Sequence, residues 1–393
     1  MTDRLAAEWM RRADIVQLVE ALGRDNARFV GGAVRDELLG LPVKDIDMAT
    51  TLLPQDVIAR LDDAGMRNVP TGIEHGTVTA VLPGGPVEIT TLRHDVSTDG
   101  RRATVAFASE WRDDAARRDF TINALYADPE SGEIFDFFGG LHDLRQRTVR
   151  FIGDARQRIR EDHLRILRYF RFQARFGSQP ADQEAEEACA ELAATLKGLS
   201  RERIGMETMN LLGLADPSPT LRRMAELGVL AVILPEADPE ALTALVAAEK
   251  SQGIAPDALR RLAALLPAQV PLAEQVASRF RLSGAQKKRL ATAAARTDEP
   301  VEPRALAYRL GIEGALDRLL IAGADASSLD HWVIPQFPLK GGEIVGKGVG
   351  AGPEVARILR SVEDCWIAEG FPDKARVDAL LDAELAGRAA RSL

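Results

Sequence analysis

Two aspartates separated by one residue, Asp45 and Asp47, are the side chains whose type and spacing point most directly to chemistry. They lie in residues 43–50 (VKDIDMAT), which read as a β-strand, where positions i and i+2 project from the same face. Close like charges repel, so such a pair is costly unless a cation lies between them. Carboxylate oxygens suit Mg²⁺, and two carboxylates can bridge two such ions. The spacing predicts a magnesium site, and a chance Asp-x-Asp on an edge strand is the plainer alternative.

A glycine pair precedes the aspartates in residues 31–36, Gly-Gly-Ala-Val-Arg-Asp. The segment reads as a turn from a strand into a helix, where glycines let backbone N–H groups approach a phosphate closely. Arg35 follows Gly32 by about one helical turn and is predicted to reach the same phosphate. The alternative is a tight turn with Arg35 on the surface. Neither the Rossmann fingerprint nor a Walker A loop is present.

Residues 117–125 (RRDFTINAL) are predicted to begin a helix. On that helix Asp119 and Asn123 would be i,i+4 neighbours able to hold a ribose hydroxyl, while Arg118 meets phosphate. The alternative is a helix start that Asp119 caps.

Residues 155–176 read as one helix that contains the segment EDHLRILRYFR at 161–171. Asp162 and Arg165 are i,i+3 neighbours, so an acceptor lies beside donors. That combination can read the edge of cytosine or adenine, since each base exposes both kinds of group. An ordinary intrahelical ion pair is the alternative.

The composition is that of a globular protein with 393 residues, 46% hydrophobic and 28% charged. No apolar run approaches the roughly 20 residues of a membrane helix, and the N-terminus lacks a secretory apolar region. Two distant cysteines without metal-ligand spacing favour a reducing cytoplasm. The formal charge is −9, yet residues 145–175 contain ten arginines, no lysine and three acids. Arginine forks suit phosphates and base edges, although a solvated helix face is the simpler interpretation.

The arrangement of elements predicts an α+β fold. A helix over residues 1–26 precedes strands that include a hairpin at 77–82 and 87–92, and residues 95–117 read as a mobile polar loop. From about residue 152 almost every segment reads as helix. The expected architecture is therefore a small mixed-sheet head followed by a long all-α region.

The four segments, in this order, resemble the class II nucleotidyltransferase family of bacterial CCA-adding enzymes and poly(A) polymerases. The family patterns GGxVRD, DxD, RRDxTxNAL and EDxxRxxR all occur, and the match is dense over residues 27–205. The resemblance implies a polymerase-β-like palm in a head over 1–150 and a neck over 151–212 with the nucleotide-selecting helix. A body and tail over 213–393 would bind tRNA.

The resemblance also implies residue roles. Asp45 and Asp47 would be catalytic and hold two Mg²⁺, and Glu88 is a candidate third carboxylate. Asp162 and Arg165 would read the Watson–Crick edge of CTP or ATP in place of a template. The nucleotide-binding set is Gly32, Arg35, Arg118, Asp119, Asn123, Asp162, Arg165, Arg168 and Arg171.

The implied activity is template-independent addition of C, C and A to the 3′ end of tRNA from CTP and ATP, with release of pyrophosphate. A mobile loop at 95–112 would help switch from C to A addition. Alternatives are a CC-only or A-only enzyme, a poly(A) polymerase, or a non-catalytic RNA-binding module. The five scattered histidines argue against a second, metal-dependent hydrolase activity. The sequence does not indicate the oligomeric state.

Overall fold

The computed structural model describes residues 4–99, 102–108, 110–297, 299 and 301–389. Contacts along the chain divide it into two compact units, Met1–Pro235 and Glu236–Leu393. In these described ranges, no helix combines the length and the apolar character needed to cross a membrane. The predicted boundaries at residues 150 and 212 stay predictions.

A mixed seven-stranded sheet forms the centre of the first unit. Its strands are β1 (Ala27–Val30), β2 (Ile46–Thr50), β3 (Asn68–Gly72), β4 (Thr77–Leu82), β5 (Gly85–Thr91), β8 (Leu125–Ala127) and β9 (Ile134–Asp136), while β6 (Arg93–Asp99) and β7 (Arg102–Phe107) form a separate two-stranded sheet. The order is β3-β4-β5-β2-β1-β8-β9, with β2 and β5 parallel and the other neighbours antiparallel. The predicted mixed sheet and the hairpin of β4 and β5 are confirmed.

The first unit also contains α-helices before, between and after the strands of this sheet. They are α1 (Ala13–Leu22), α2 (Gly32–Leu38), α3 (Pro54–Asp63), α4 (Trp111–Ala116), α5 (Gly140–Gln146), α6 (Ala155–Glu161), α7 (Arg165–Phe176), α8 (Gln183–Leu192), α9 (Arg201–Leu212), α10 (Ser218–Glu226) and α11 (Val229–Ile233). Three of them start on a side chain that accepts a backbone N–H: Asp154, Asp182 and Ser200. The N-terminal helix predicted over 1–26 is wrong in extent, because a 3₁₀ turn at Trp9–Arg11 precedes α1.

The segment predicted as a mobile loop over 95–117 differs in structure. Its described backbone forms β6 and β7, which pair antiparallel, and then α4. The sequence contains the reason: residues 102–107 (RATVAF) have high β-propensity, and Asp-Gly at 99–100 is a hairpin signal. Gly100, Arg101 and Ser109, which the loop prediction included, lie outside the described residues.

The helix predicted to begin at residue 117 is also wrong. Helix α4 ends at Ala116, a 3₁₀ turn covers Thr121–Asn123, and strand β8 follows. Phe29 and Val30 of β1 pair with β8. Sheet pairing over residues 125–127 therefore overrides the local helical pattern.

The single helix predicted over 155–176 is interrupted. Helix α6 ends at Glu161 and α7 begins at Arg165. Asp162 between them has extended backbone angles, and its carboxylate accepts the N–H of Leu164 at 3.1 Å. An aspartate side chain that binds nearby backbone competes with the helical ladder, which explains the break.

An aromatic cluster fixes α7 against the head. The rings of Phe120 and Phe172 lie 5.0 Å apart, and those of Phe151 and Tyr169 lie 5.8 Å apart. Each of these side chains is at most 6% exposed. These ring contacts hold α7 in a fixed position beside Phe120 and Phe151.

In its described residues the second unit contains helices and no β-strand. Its helices are α12 (Pro239–Ser251), α13 (Ala258–Leu265), α14 (Val270–Arg279), α15 (Gly284–Ala294), α16 (Pro303–Ile321), α17 (Gly341–Gly346), α18 (Pro353–Ala368) and α19 (Lys374–Ala389). Helix α16 kinks at Gly311, and from sequence residues 303–311 and 315–323 read as two separate helices. The α+β class, with a mixed-sheet head and an all-α remainder, is confirmed.

Candidate active site

A cavity of about 560 Å³ lies in the first unit and brings together nine residues predicted from sequence. These nine are Gly32, Arg35, Asp47, Arg118, Asp119, Asn123, Asp162, Arg165 and Arg168. The wall also contains Gly31, Arg117, Leu164, Phe172, Arg203, Met206 and Glu207. Six arginines and four carboxylates line the cavity, so it suits a polyanionic ligand.

The aspartate pair lies where β2 begins. Asp47 is half-buried in β2 and stands in register with Glu88 on the parallel strand β5, while Ile46 points into the core. Burial and the nearby carboxylate of Glu88, with a smaller contribution from Asp45, raise the pKa of Asp47 to about 6 against the opposing effect of Arg118. Asp45 and Glu88 are exposed and are not part of the cavity wall.

This carboxylate group fits a hard cation. The carboxylates of Asp45, Asp47 and Glu88 repel one another, and a bound cation would relieve that repulsion. In the part of the chain that the structure describes, no three acidic, imidazole or thiol side chains form a complete metal cage. That arrangement suits Mg²⁺, which commonly binds one or two carboxylates and fills its other positions with water and substrate phosphates.

The turn between β1 and α2 needs glycine at position 31. Gly31 has φ +71°, and a Cβ atom there would meet Arg118 Nη1 at 3.3 Å. The turn is therefore open enough for Arg118 to approach its backbone. Arg35 is not a surface residue: it is 6% exposed, and its guanidinium donates to Asp36 Oδ1 at 2.8 Å and to Asn123 Oδ1 at 2.5 Å.

A buried carboxylate orients the two arginines that follow α4. Asp114 is 1% exposed and accepts from Arg117 Nε at 2.8 Å, Arg118 Nη2 at 3.2 Å and the Tyr126 hydroxyl at 2.7 Å. Burial alone would raise the pKa of Asp114. Arg118, Arg117 and the Tyr126 hydroxyl outweigh burial and lower it to about 2. Asp114 therefore stays ionised and directs both guanidinium groups.

Asp119 and Asn123 contact each other although they lie around a 3₁₀ turn. Asn123 Nδ2 donates to Asp119 Oδ1 at 2.9 Å, and the other carboxylate oxygen accepts from Arg168 Nε at 2.8 Å. Burial acts to raise the pKa of Asp119, but Arg168 and Asn123 more than offset it and the pKa is lowered. Arg171 lies outside the cavity wall, where its Nε donates to Glu207 at 2.7 Å.

Asp162 and Arg165 do not form the intrahelical ion pair that was the alternative interpretation of their spacing. Asp162 Oδ2 accepts from Arg203 Nη2 at 2.7 Å, and Arg165 Nη1 donates to Glu161 Oε2 at 2.6 Å. The break between α6 and α7 causes this exchange of partners, because the two residues no longer share a helical turn. Both still face the cavity.

Arg158 on α6 connects that helix to Arg117 and Arg118. It is 8% exposed, donates to the carbonyl oxygens of Arg117 and of Arg118, the latter at 2.7 Å, and pairs with Glu161. Glu161 also holds Arg165. One chain of contacts thus joins the backbone at Arg118 to the guanidinium of Arg165.

Sequence reasoning missed several wall residues. Arg203, Met206 and Glu207 lie on α9, about 40 residues after Asp162, and no local spacing relates the two segments. Residues 199–204 (LSRERI), which contain Arg203, resemble a further segment of the same family, and that resemblance was the one available signal. Phe172 was missed because its spacing on α7 is that of a core residue.

Carboxylates on adjacent strands, a glycine turn and an arginine-lined cavity define a nucleotidyltransferase head. Residues 27–150 match the Poly A polymerase head domain, and residues 181–240 match the probable RNA and SrmB-binding site of polymerase A. The human mitochondrial CCA tRNA nucleotidyltransferase 1 is 34% identical over 381 residues, 90% of this chain and 86% of that protein. The CCA-adding enzyme of Geobacillus stearothermophilus is 40% identical over 221 residues, 56% of this chain and 53% of that enzyme.

Solved structures agree with these sequence matches. The CCA-adding enzyme of Bacillus stearothermophilus, in complex with CTP, superimposes with a TM-score of 0.78 at 28% identity, covering 96% of this chain and 98% of that one. The Thermotoga maritima CCA-adding enzyme complexed with tRNA shares the fold, with a TM-score of 0.71 at 20% identity over 98% of this chain and 96% of that one. The chain belongs to the family of CCA-adding enzymes and poly(A) polymerases, and it is a nucleotidyltransferase.

Proposed function

We propose that this chain adds C, C and A to the 3′ end of tRNA, using CTP and ATP without a template and releasing pyrophosphate. The observation that carries the proposal is the single cavity that joins Asp47 and Arg118 to Asp162 and Arg165. A group suited to phosphoryl transfer and a group suited to reading a base edge face the same volume. The names of the relatives support tRNA as the substrate.

Asp45 and Asp47 would hold two Mg²⁺ ions, with Glu88 as a further ligand candidate. When bound, the ions supply activation of the tRNA 3′-hydroxyl and neutralisation of charge on the phosphates. The carboxylates fit this role because they are hard oxygen donors on two adjacent strands. Asp47 must give up its proton to bind a metal, and its raised pKa makes that step dependent on pH.

The triphosphate would lie against the glycine turn. The backbone at Gly32 and the guanidinium of Arg118 offer donors there, and Asp114 fixes the direction of Arg118. Arg35 would contact the phosphates as the resemblance implies, and its bonds to Asp36 and Asn123 support a second role in bracing the turn.

Asp162 and Arg165 would form hydrogen bonds with the base, the aspartate accepting from an exocyclic amino group and the arginine donating to a ring nitrogen. Cytosine and adenine both offer this pair of groups, whereas uracil and guanine present a carbonyl oxygen where the amino group stands. Asp119 and Asn123 would hold the ribose. Arg168 fixes Asp119. Arg171 would support the same helix through Glu207, the acid with which it pairs.

The deciding experiment incubates the purified protein with tRNA lacking its CCA end and with CTP and ATP, singly and together. Product length by denaturing electrophoresis should show two added residues with CTP and three with both. Termination after CC, addition of A alone, or a long A tail would replace the proposal by the corresponding partial or poly(A) activity. Binding of tRNA with no addition would identify a non-catalytic RNA-binding module.

Alanine at position 47 tests the carboxylate assignment. Asp47→Ala should reduce nucleotide addition by at least about a thousandfold while tRNA binding persists, because the site loses its metal ligand. Asp63→Ala, an exposed aspartate at the end of α3, is the matched control and should keep full activity. Normal addition by Asp47→Ala would reject the metal site.

A cytoplasmic location belongs to the same proposal and is supported by two free thiols, Cys189 and Cys365. A mitochondrial location is the second candidate, because that compartment is named for the human relative.

A further inference from the structure

Asp162 needs support from outside its own segment. It lies at the break between α6 and α7, with backbone angles φ −148° and ψ 105°, so no helical turn fixes its side chain. Two donors hold the carboxylate: the N–H of Leu164 on Oδ1 at 3.1 Å and Arg203 Nη2 on Oδ2 at 2.7 Å. Only the second is a charged partner, and charge-assisted hydrogen bonds are the stronger kind.

Arg203 is anchored on a rigid element. Its backbone N–H is accepted by the Ser200 side chain at 3.3 Å, which caps the start of α9. Ile204 and Leu211 of the same helix are buried. The Arg203 side chain is 21% exposed and Asp162 is 24% exposed, so the pair meets at the cavity surface rather than in the core.

We infer that Arg203 is a positioning residue for nucleotide selection, holding the carboxylate of Asp162 where it accepts a hydrogen bond from the amino group of cytosine or adenine. This rests on the proposed function, in which Asp162 reads the base. A carboxylate held in one orientation rejects the carbonyl oxygen of uracil or guanine, because two acceptors face each other. A carboxylate free to rotate turns away and removes that penalty.

The substitution Arg203→Met removes the charge and the fork while keeping an unbranched side chain. We expect the ratio of kcat/KM for CTP over UTP, measured on tRNA lacking its CCA end, to fall about tenfold. Arg203→Lys keeps the positive charge but lacks the paired N–H donors of the guanidinium, so it should restore part of the CTP over UTP ratio. The exposed Arg201 on the same helix supplies the control: Arg201→Met should leave the ratio unchanged.

A double substitution separates positioning from general loss of structure. In an Asp162→Ala background Arg203→Met should change the CTP over UTP ratio by less than about twofold, because the residue through which it acts is gone. An equal further loss in that background would overturn the inference. So would an unchanged ratio in Arg203→Met, or in Arg203→Lys if the methionine variant does not fold.

The outcome also distinguishes this inference from the proposed function. If Asp162→Ala keeps its CTP over UTP ratio, the assignment of Asp162 to base reading fails, and with it the inference. If Asp162→Ala loses the ratio while Arg203→Met keeps it, only the role of Arg203 is rejected.

Discussion

At the scale of single residues, most acidic side chains of the cavity wall already form an ion pair with an arginine before any ligand binds. Asp119 pairs with Arg168, Asp162 with Arg203, and Glu207 with Arg171. Asp47 differs, since its nearest charged influences include two other carboxylates. Among the acids of the cavity wall, Asp47 therefore has the least favourable charge environment, which supports its proposed role as one of the two magnesium ligands.

Asp114 offers a test of this pairing through pH. Its pKa is lowered to about 2 from an ordinary value near 3.8, so its ion pairs stabilise the fold above about pH 4 and lose that effect as pH falls toward 2. Asp114→Asn should cost about 2 kcal/mol at pH 7, and the difference from wild type should fall to about half near pH 3.

Urea unfolding between pH 7 and pH 3 measures the Asp114→Asn difference. Asp113→Asn, an exposed neighbour on α4, should show no comparable loss at any pH. A difference for Asp114→Asn that stays constant down to pH 3 would contradict the lowered pKa.

The residues found from sequence are those whose relation is local. Asp45 with Asp47 and Gly32 with Arg35 lie within a few positions, so the period of a strand or a helix relates them directly. The continuous helix predicted through Asp162 and Arg165 was wrong because the Asp162 carboxylate accepts the backbone N–H of Leu164 and interrupts the helix. Long-range contacts such as Asp162 with Arg203 have no periodic signature.

At the scale of elements, the turn from β1 to α2 depends both on the backbone conformation of Gly31 and on the close approach of the Arg118 side chain. Gly31→Ala should cost at least about 1 kcal/mol, because its φ of +71° disfavours any side chain. It should also lower kcat/KM for nucleotide addition, since the new Cβ lies 3.3 Å from Arg118 Nη1.

Gly65→Ala is the matched control for Gly31→Ala. It has φ +68°, and a Cβ there would meet nothing within 4 Å. Gly65→Ala should lose stability in thermal melts while kcat/KM stays at the wild-type value. Equal kinetic losses in the two variants would show that the contact with Arg118 is irrelevant.

Helix α7 depends on Phe172 for its position. This side chain is 6% exposed and contacts the ring of Phe120, with Arg171 4.8 Å from its centre. Phe172→Ala should lower the free energy of unfolding by about 3 kcal/mol and raise KM for both nucleotides. Phe172→Leu, which keeps most of the volume, should lose less of each; a stable variant with unchanged KM would reject this role.

Elements were predicted best where their pattern extends over many residues. Helices α12 to α16 and α18 of the second unit fall in segments whose apolar spacing predicts helix, whereas α17 and α19 were not predicted. The strand β8 was missed because it has three residues, too few for a period, and exists through its pairing with β1. The hairpin of β6 and β7 was missed because its polar side chains resemble those of a loop, although residues 102–107 have high β-propensity.

For the whole molecule, the formal charge of −9 contrasts with a cavity in which arginines exceed carboxylates by two. If tRNA phosphates bind there, affinity should fall about tenfold between 50 and 200 mM salt, as release of two counterions requires. Fluorescence anisotropy with labelled tRNA measures this dependence. Affinity that stays constant over that range would exclude phosphate contacts as the main source of binding.

The second unit contains a buried network of charged side chains that no sequence pattern predicted. Arg260 contacts Glu249 at 2.9 Å and Asp317 at 3.0 Å, and Arg261 contacts Glu249 at 2.9 Å. Each of the four side chains is at most 6% exposed. Removing one partner of such a group leaves an uncompensated charge and is strongly destabilising.

The ion pairs around the cavity also have an entropic consequence. Guanidinium side chains normally lose rotational freedom when a ligand binds, and that loss weakens affinity. Here Asp114, Glu161 and Asp119 have already restricted Arg118, Arg165 and Arg168 during folding. A nucleotide therefore meets donors and acceptors that are already ordered, in the way that a stacked template strand presents ordered bases to a polymerase. Folding has therefore already met part of the entropic cost of ordering these donors before a ligand binds.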